Sequence, residues 1–550
     1  MDSVAQRSKR TGRCCAALSE ALYLPDTEPR RDDEDISRPP KRFKDANGAS
    51  TSSRAPEINA DDLPDAELAP ELTVQSLKKL ILKFERQTLK NRELRIKFPD
   101  QPEKFMDSEI ELNEVIQEMH IVATHPELYP ILVQHNTLES LLSLLGHENS
   151  DIAIAAVDLL QEMTDVDTLN ESEEGALALV DSLIEKRVAF QLVENMQRLN
   201  ETIKEEADGV HHSLAVIEHI AEFRPEYAAS AAQEGLMAFL LRRLRAKMPF
   251  DANKLYASEI LAILLQNCEP NRKMLGEIEG IDILLQQLSH FRRHDPSNSE
   301  EFEMMENLFD VLCSALLLPA NRDRFLKSEG LQLMNLLLKE KRQSRCGALK
   351  TLEYALQGPE GTENCNKFVD ILGLRVLFPL LMHTPKKKKS RSYTPEEHEE
   401  HVISIICSLL KNCRSAQHER LLNKFIENEH EKVDRIMELH FKYSDKVRQA
   451  EREIEIEYMD SEEYSAEDIY LKKLERGLYT LQLIDYVIVD ISAAGPESVK
   501  KKVLQVLNMR GGSVSQVRQI MREYAGNLGD GSENSSKAEH DRIMQLIDRF

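Results

Sequence analysis

The apolar residues of this chain recur in short leucine-rich segments. Each segment begins at a Gly or Asn, and a Glu or Asn lies nine residues before that position. The five pairs are Glu127 with Asn136, Glu226 with Gly235, Asn271 with Gly280, Asn321 with Gly330 and Asn364 with Gly373. The four glycines step by 45, 50 and 43 residues, and a weaker segment at 188–193 fills the gap before them. Such periods are typical of helical units that bury their apolar faces only by stacking. The pattern predicts an all-α solenoid that binds partners along an extended surface.

About six units of three helices are predicted over 124–415: a short helix, the leucine-rich segment and a longer third helix. The predicted third helices span 151–163, 207–223, 254–268, 302–317, 344–356 and 396–411. The last has clear start signals, with Thr394 as N-cap, Pro395 at the first helical position and Glu397 three residues after the cap.

Helices are also predicted at both ends of the stack. Apolar residues at helical spacing over 73–123 predict an N-terminal cap on the first unit. After 415 the apolar periodicity continues without the Gly, and some element must cover the open end of a repeat stack. We therefore expect a C-terminal helical cap over 416–550, with a charged connector near 446–468 and a surface on which a homodimer could form.

The charge of the chain narrows the class of partner. The net charge is −24, of which residues 1–70 carry only −3, so about −21 belongs to the body. An acidic body without a broad basic stripe disfavours duplex nucleic acid and attracts basic segments. The eight cysteines lack metal-ligand spacing, and charges interrupt every apolar stretch before the length of a membrane span. We expect a soluble intracellular protein with no membrane segment, metal or cofactor.

Two basic clusters stand out in this acidic chain. Residues 1–70 are predicted to be a disordered tail, in which Arg38, Lys41, Arg42 and Lys44 flank two prolines and a phenylalanine. These four residues are interpreted as a nuclear localisation signal. The alternatives are an ordinary charged tail and a segment that folds back on the acidic body and competes with other basic ligands. The second cluster, Lys386 to Lys389, lies in a predicted loop that could be an import element, an RNA contact or a solvated loop.

Candidate chemistry is weak elsewhere. His398 and His401 lie three residues apart, without the H-E-x-x-H spacing or an evident third ligand, and a solvated helix start explains them better than a metal site. The sequence contains no phosphate-binding loop or nucleophile elbow. We expect no enzymatic activity.

The three-helix pattern, with N-x-x-x-[LF] leading to Gly, resembles armadillo repeats. The resemblance implies a right-handed superhelix whose third helices line a concave groove for extended peptides. Carriers of the importin-α group use Trp and Asn there, but this chain has no Trp. Aligned with that pattern, carboxylates take several of the groove positions, which suggests recognition of Lys and Arg side chains. The predicted acidic groove comprises Asp158, Glu162, Glu218, Glu259, Glu306 and Asp310, and a solvated helix face is the alternative.

Longer phrases at 95–106, 246–256, 358–365 and 432–443 are similar to those of the beta-catenin-like protein 1 family, from about residue 75 onward. The resemblance implies a non-enzymatic nuclear scaffold of the Prp-nineteen splicing complex. Its implied partners are basic, nuclear-localisation-type segments of splicing factors, including the Cdc-five-like component and other members of that complex. Residues 1–70 do not match the family tail closely, so the import signal rests on its own residues.

Three alternative functions remain open from the sequence. A nuclear transport adaptor with atypical groove chemistry would need an importin-β-binding arm, for which the cluster at 38–44 is short. A metal-dependent enzyme would have to use His398 and His401. A cortical adhesion adaptor like β-catenin itself would not concentrate in nuclei.

Overall fold

The computed structural model describes residues 72–245, 247–386, 394–459, 466–528 and 533–550. Met1–Thr73 separates from a compact unit, Val74–Phe550, and the second unit is the one described below. The predicted tail with Arg38, Lys41, Arg42 and Lys44 lies outside the described residues, as do residues 387–393 of the basic loop. All regular elements of the described residues are helices.

The compact unit begins with two helices that pack against each other, α1 (Val74–Lys97) and α2 (Met106–Met119). Leu77, Ile81 and Phe84 form the buried stripe of α1. Helix α2 packs in turn on the third helix of the first repeat. The two helices therefore cover that end of the repeat stack.

Between 129 and 412 the helices follow in sets of three. The first set is α3 (Tyr129–Gln134), α4 (Thr137–Leu144) and α5 (Ser150–Thr164); a short α6 (Val166–Glu171) precedes the second, α7 (Glu173–Glu185), α8 (Val188–Met196) and α9 (Lys204–Phe223). The third and fourth sets are α10 (Tyr227–Ala231), α11 (Met237–Arg243), α12 (Ala252–Leu265), α13 (Glu269–Glu277), α14 (Gly280–Ser289) and α15 (Ser299–Leu316). The fifth and sixth are α16 (Pro319–Lys327), α17 (Gly330–Lys339), α18 (Arg345–Leu356), α19 (Thr362–Asp370), α20 (Leu374–Met382) and α21 (Pro395–Asn412).

The third helices α5, α9, α12, α15, α18 and α21 pack each against the next. They form one continuous row, which we call the third-helix row. Their apolar sides are buried against the shorter helices of their own and neighbouring sets. This stacked arrangement confirms the predicted all-α solenoid.

The recurring asparagine ties each set to the one before it. Asn321 Nδ2 donates hydrogen bonds to Ala315 O at 3.0 Å and to Arg272 O at 2.7 Å. These carbonyls belong to α15 and α13 of the preceding set. Asn271 makes the equivalent bonds one set earlier. Each asparagine side chain thus links the last turn of the preceding third helix to the first helix of the same set.

The recurring glycine allows the first and second helices of a set to meet closely. A Cβ atom at Gly330 would lie 2.3 Å from the ring of Phe325, and one at Gly373 would lie 2.5 Å from the ring of Phe368. Each phenylalanine follows its repeat asparagine by four residues, which explains the N-x-x-x-[LF] pattern. Gly235 is required for another reason, because its φ of +106° is unfavourable for residues with a Cβ.

The start of α21 confirms the predicted capping residues. Thr394 Oγ1 accepts a hydrogen bond from Glu397 N at 3.2 Å, and Glu397 Oε2 accepts one from Thr394 N at 2.6 Å. Pro395 is the first residue of the helix. This is the reciprocal capping box expected from Thr and Glu at that spacing.

After the sixth set the described residues form seven more helices. They are α22 (Ser415–Asn423), α23 (Glu427–Met459), α24 (Ala466–Lys473), α25 (Tyr479–Ala494), α26 (Glu497–Met509), α27 (Val514–Gly526) and α28 (Glu533–Arg549). Helix α25 packs on α21 and extends the third-helix row, and α23, α26, α27 and α28 all pack around α25. The charged segment predicted to be a connector from 446 is helical as far as Met459, because it continues α23.

One stretch of the described residues, Glu467–Ala494, has the length and composition of a membrane-crossing helix. Charged residues within it are the reason that no membrane span was expected there from the sequence. In the structure, 83% of its most apolar window is buried inside the body. Two carboxylates in the apolar part of this stretch, Asp485 and Asp490, are buried and lie beside His440 and Arg542, respectively. It is therefore the core helix of the C-terminal helices.

The last helix is fixed to the last two helices of the third-helix row, α21 and α25. Arg542 of α28 donates hydrogen bonds to Lys411 O at 2.8 Å and Leu410 O at 3.1 Å, and lies 3.5 Å from Asp490 Oδ2. The Lys411 ammonium lies 2.7 Å from Glu539 of the same helix. Since the final carbonyls of a helix lack internal donors, Arg542 satisfies two of those at the end of α21.

Candidate functional site

The six predicted groove carboxylates lie on four consecutive members of the third-helix row. Asp158 and Glu162 belong to α5, Glu218 to α9, Glu259 to α12, and Glu306 and Asp310 to α15. Polar contacts connect most of them to the next helix or a neighbouring one. The structure therefore brings residues that are up to 152 positions apart into one polar face.

At the first end of this face, histidines accompany the carboxylates. His120 Nδ1 lies 2.6 Å from Glu162 Oε2, and His212 Nδ1 lies 2.6 Å from Asp158 Oδ1. The hydrogen bond to Asp158 raises the pKa of His212 against the opposing effect of burial. Protonation of His212 would neutralise Asp158, so this end of the face loses negative charge as the pH falls.

The centre of the face has three carboxylates on three successive helices: Glu218 on α9, Glu259 on α12 and Glu303 on α15. The Tyr256 hydroxyl donates a hydrogen bond to Glu218. Burial raises the pKa of Glu259, and the negative charges of Glu303 and Glu218 raise it further. Among the described residues, these three carboxylates have no Lys, Arg or His partner. We call this group the carboxylate cluster.

At the far end a lysine compensates the predicted carboxylate. Lys350 Nζ of α18 lies 2.8 Å from Asp310 Oδ1. Lys350 also approaches Glu353, which pairs with His401 of α21. Glu306 lies between this end and the carboxylate cluster on α15, and also has an interaction with another group. The uncompensated charge of the face is thus concentrated at its centre.

The two histidines of the weak metal-site candidate point to different partners. His398 Nε2 lies 3.1 Å from Leu380 O, whereas His401 Nδ1 is bonded to Glu353. Burial alone would lower the pKa of His401, but the Glu353 carboxylate raises it. Within the described ranges, no three His, Cys, Asp or Glu side chains are arranged as metal ligands. The pair therefore serves contacts between α18, α20 and α21.

Two residues of the central face were not predicted from the sequence. Tyr256 and Glu303 lie three residues before Glu259 and Glu306, respectively. Residues three apart lie on the same helix face one turn away. Extending each groove position by one turn would have found both.

A family model described as "Catenin-beta-like, Arm-motif containing nuclear" matches residues 57–522. The chain belongs to this family. Beta-catenin-like protein 1 of Homo sapiens is 58% identical over 487 residues, which cover 87% of this chain and 86% of that protein. The homolog of Schizosaccharomyces pombe is 29% identical over 481 residues, covering 87% and 83%. The predicted family, its armadillo motifs and a nuclear location are confirmed.

Solved structures with a similar course of the chain have distant sequences. The complex of SYS-1 with POP-1 aligns with a TM-score of 0.45 and 13% identity, over 84% of this chain and 85% of that one.

Proposed function

We propose that this protein is a non-enzymatic nuclear scaffold of the spliceosome that binds extended basic segments of splicing factors along its third-helix row. The observation that supports this most directly is the carboxylate cluster. Membership of a nuclear armadillo family supports the general role, and the chemistry of the row supports the class of ligand.

The carboxylate cluster is suited to a cationic ligand. Keeping like charges close in a partly buried site costs free energy, as the raised pKa of Glu259 indicates. A Lys or Arg side chain of a bound peptide would relieve that cost through charge-assisted hydrogen bonds. The acidic body would also attract a basic segment and speed its association.

Internal cations already occupy both ends of the polar face, so a ligand is expected to contact its centre. His120, His212 and Lys350 already pair with Glu162, Asp158 and Asp310. A ligand cation would have to displace these internal partners, whereas Glu218, Glu259 and Glu303 are free of cations within the described residues. Binding energy is therefore expected to concentrate at α9, α12 and α15. The Cdc-five-like splicing factor and other Prp-nineteen components are the proposed partners.

The proposal is tested by measuring the binding of a labelled basic peptide from the Cdc-five-like factor to the full chain over a salt series. The variant Glu218→Gln/Glu259→Gln/Glu303→Gln should weaken binding by about tenfold or more, because each charge-assisted contact contributes about 1 kcal/mol or more. The matched control Asp282→Asn/Asp323→Asn/Glu363→Gln removes as much charge from exposed positions on first and second helices. Equal binding by both variants and the wild type would reject the carboxylate cluster as the site.

A further inference from the structure

The loops between second and third helices meet along one edge of the solenoid. Ser344 Oγ donates a hydrogen bond to Phe291 O at 3.2 Å, and Gln343 N donates one to Asp295 Oδ1 at 3.0 Å, so the loops of the fifth and fourth sets touch. The buried Lys254 Nζ donates to Met248 O at 2.8 Å and lies 3.4 Å from Gln287 Oε1 of α14. It connects the loop of the third set to the fourth.

These loops are basic, although the body is acidic. With their flanking residues they span 242–251, 290–298 and 339–345, which contain ten Lys and Arg against three Asp and Glu. Two of the three acids are already paired, Asp251 with Arg243 and Asp295 with Arg342. We call the exposed cations of these loops the basic edge: Arg242, Arg245, Lys247, Arg293, Lys339 and Lys341.

Two further features of this edge bear on its ligand. The amino-terminal ends of α12, α15 and α18 lie here. Their partial positive charge is offset at α15 by Glu300 and Glu301, whereas the first turns of α12 and α18 contain no acidic residue. His290 and His294 are exposed between the cations, with ring centroids 5.1 Å apart and ring planes inclined by 27°. Phosphates need cations, and unpaired bases need flat rings on which to stack.

We propose that the basic edge binds single-stranded RNA, with its Arg and Lys side chains on phosphates and the His290–His294 pair on a base. An acidic protein segment would use the cations but would gain little from exposed imidazole rings. Duplex nucleic acid would keep its bases stacked away from those rings. The edge uses none of the residues of the carboxylate cluster, so it is a second binding surface.

The test measures fluorescence anisotropy of a fluorescein-labelled oligouridylate with the full chain across a salt series. The edge variant Arg245→Gln/Arg293→Gln/Lys339→Gln should raise the Kd by about tenfold or more. It should also make the negative slope of log K against log salt less steep by about 2, since each lost phosphate contact contributes about 0.7. The control Lys78→Gln/Lys79→Gln/Arg86→Gln makes the same charge change on exposed residues of α1 and should leave both quantities near wild type.

A second variant separates RNA from other anions. His290→Ala/His294→Ala should weaken oligouridylate binding by about fivefold, the loss of one stacked base, and leave polyglutamate binding unchanged. No oligouridylate binding by the wild type, equal loss in the edge and control variants, or preference for polyglutamate would overturn the proposal. The edge variant should bind the basic peptide as the wild type does, so failure here is distinct from failure of the carboxylate cluster.

Discussion

Glu259, a residue of the proposed peptide site, lies where its own negative charge is unfavourable. Its carboxylate is half-buried beside Glu218 and Glu303 and has no cation within the described residues. These surroundings disfavour the charged form in the folded protein relative to the unfolded chain. Removal of the Glu259 charge should therefore stabilise the folded protein, although it should weaken the proposed binding of a cation.

The first prediction follows from the raised pKa of Glu259. Above that pKa the folded protein keeps an unfavourable charge, so Glu259→Gln should raise the free energy of unfolding at pH 7 by about 0.5 kcal/mol, a small value because the site is partly solvated. The difference should shrink as the pH falls, because the wild-type carboxyl then takes up a proton. Urea denaturation at neutral and acidic pH measures this, with Asp282→Asn as control. Destabilisation by Glu259→Gln at pH 7 would contradict it.

Lys254 provides a second prediction, with the opposite charge. Burial, with Arg243 nearby, lowers its pKa from 10.5 to about 8. Between these values the folded protein binds fewer protons than the unfolded chain, so the free energy of unfolding should rise with pH in that window. Lys254→Met should remove this rise. It should also cost about 1–3 kcal/mol at neutral pH, because the carbonyl of Met248 loses the Lys254 donor and that of Arg245 keeps only Met248 N.

Denaturation of the wild type and Lys254→Met between pH 7 and pH 10 gives both quantities. Lys247→Met, an exposed change in the same loop, is the matched control and should alter neither. A slope that persists in Lys254→Met would assign the pH dependence to another group.

At the scale of helices, the repeat asparagine is expected to set the coupling between neighbouring sets. Asn321→Ala would remove the two hydrogen bonds that its side chain donates to Ala315 O and Arg272 O, and should cost about 1–3 kcal/mol. Asp323→Ala on the same helix alters an exposed side chain and should cost less than about 0.5 kcal/mol. Thermal or urea denaturation compares the two. Equal losses would mean that the asparagine couples nothing.

Much of the helical architecture could be predicted because its signals are local. The six third helices begin and end within three residues of their predicted bounds, since apolar periodicity and caps such as Thr394 lie within the element itself. The helix over 446–459 was harder to predict, because only Val447, Ala450 and Ile454 are buried among the many charges of residues 446–456, whose side chains are described.

The side chains that pair with the six carboxylates inside the protein could not be predicted in the same way. The six carboxylates do lie on the row, but His212 is 54 residues from Asp158 and Lys350 is 40 residues from Asp310. Such pairs depend on how one set is seated on the next, which no local pattern reports. The basic edge was missed for the same reason, because its cations are gathered from loops about one repeat apart.

At the scale of the whole molecule, each repeat of a solenoid contacts only the adjacent repeats, so a destabilising substitution should affect mainly those repeats. Arg542→Ala should remove two bonds to the end of α21 and leave Asp490 buried without its guanidinium. We expect the free energy of unfolding of α21 and the C-terminal helices to fall by about 2–4 kcal/mol, and that of α1 to α9 to stay unchanged. Hydrogen exchange resolved along the sequence measures this. Arg549→Ala, an exposed change in the same helix, is the control, and uniform loss of protection would contradict the prediction.

The third-helix row also works as a ruler. The row contains seven of the described helices: α5, α9, α12, α15, α18, α21 and α25. Packed helices lie about 8–10 Å apart, so the row is roughly 50–60 Å long. An extended peptide advances about 3.3 Å per residue, so one step of the row corresponds to about three residues. Ligands with a Lys or Arg at every third position should thus place successive charges opposite Glu218, Glu259 and Glu303. A peptide series that varies only this spacing would show an affinity maximum at three, and a flat series would mean that the row senses charge without measuring distance.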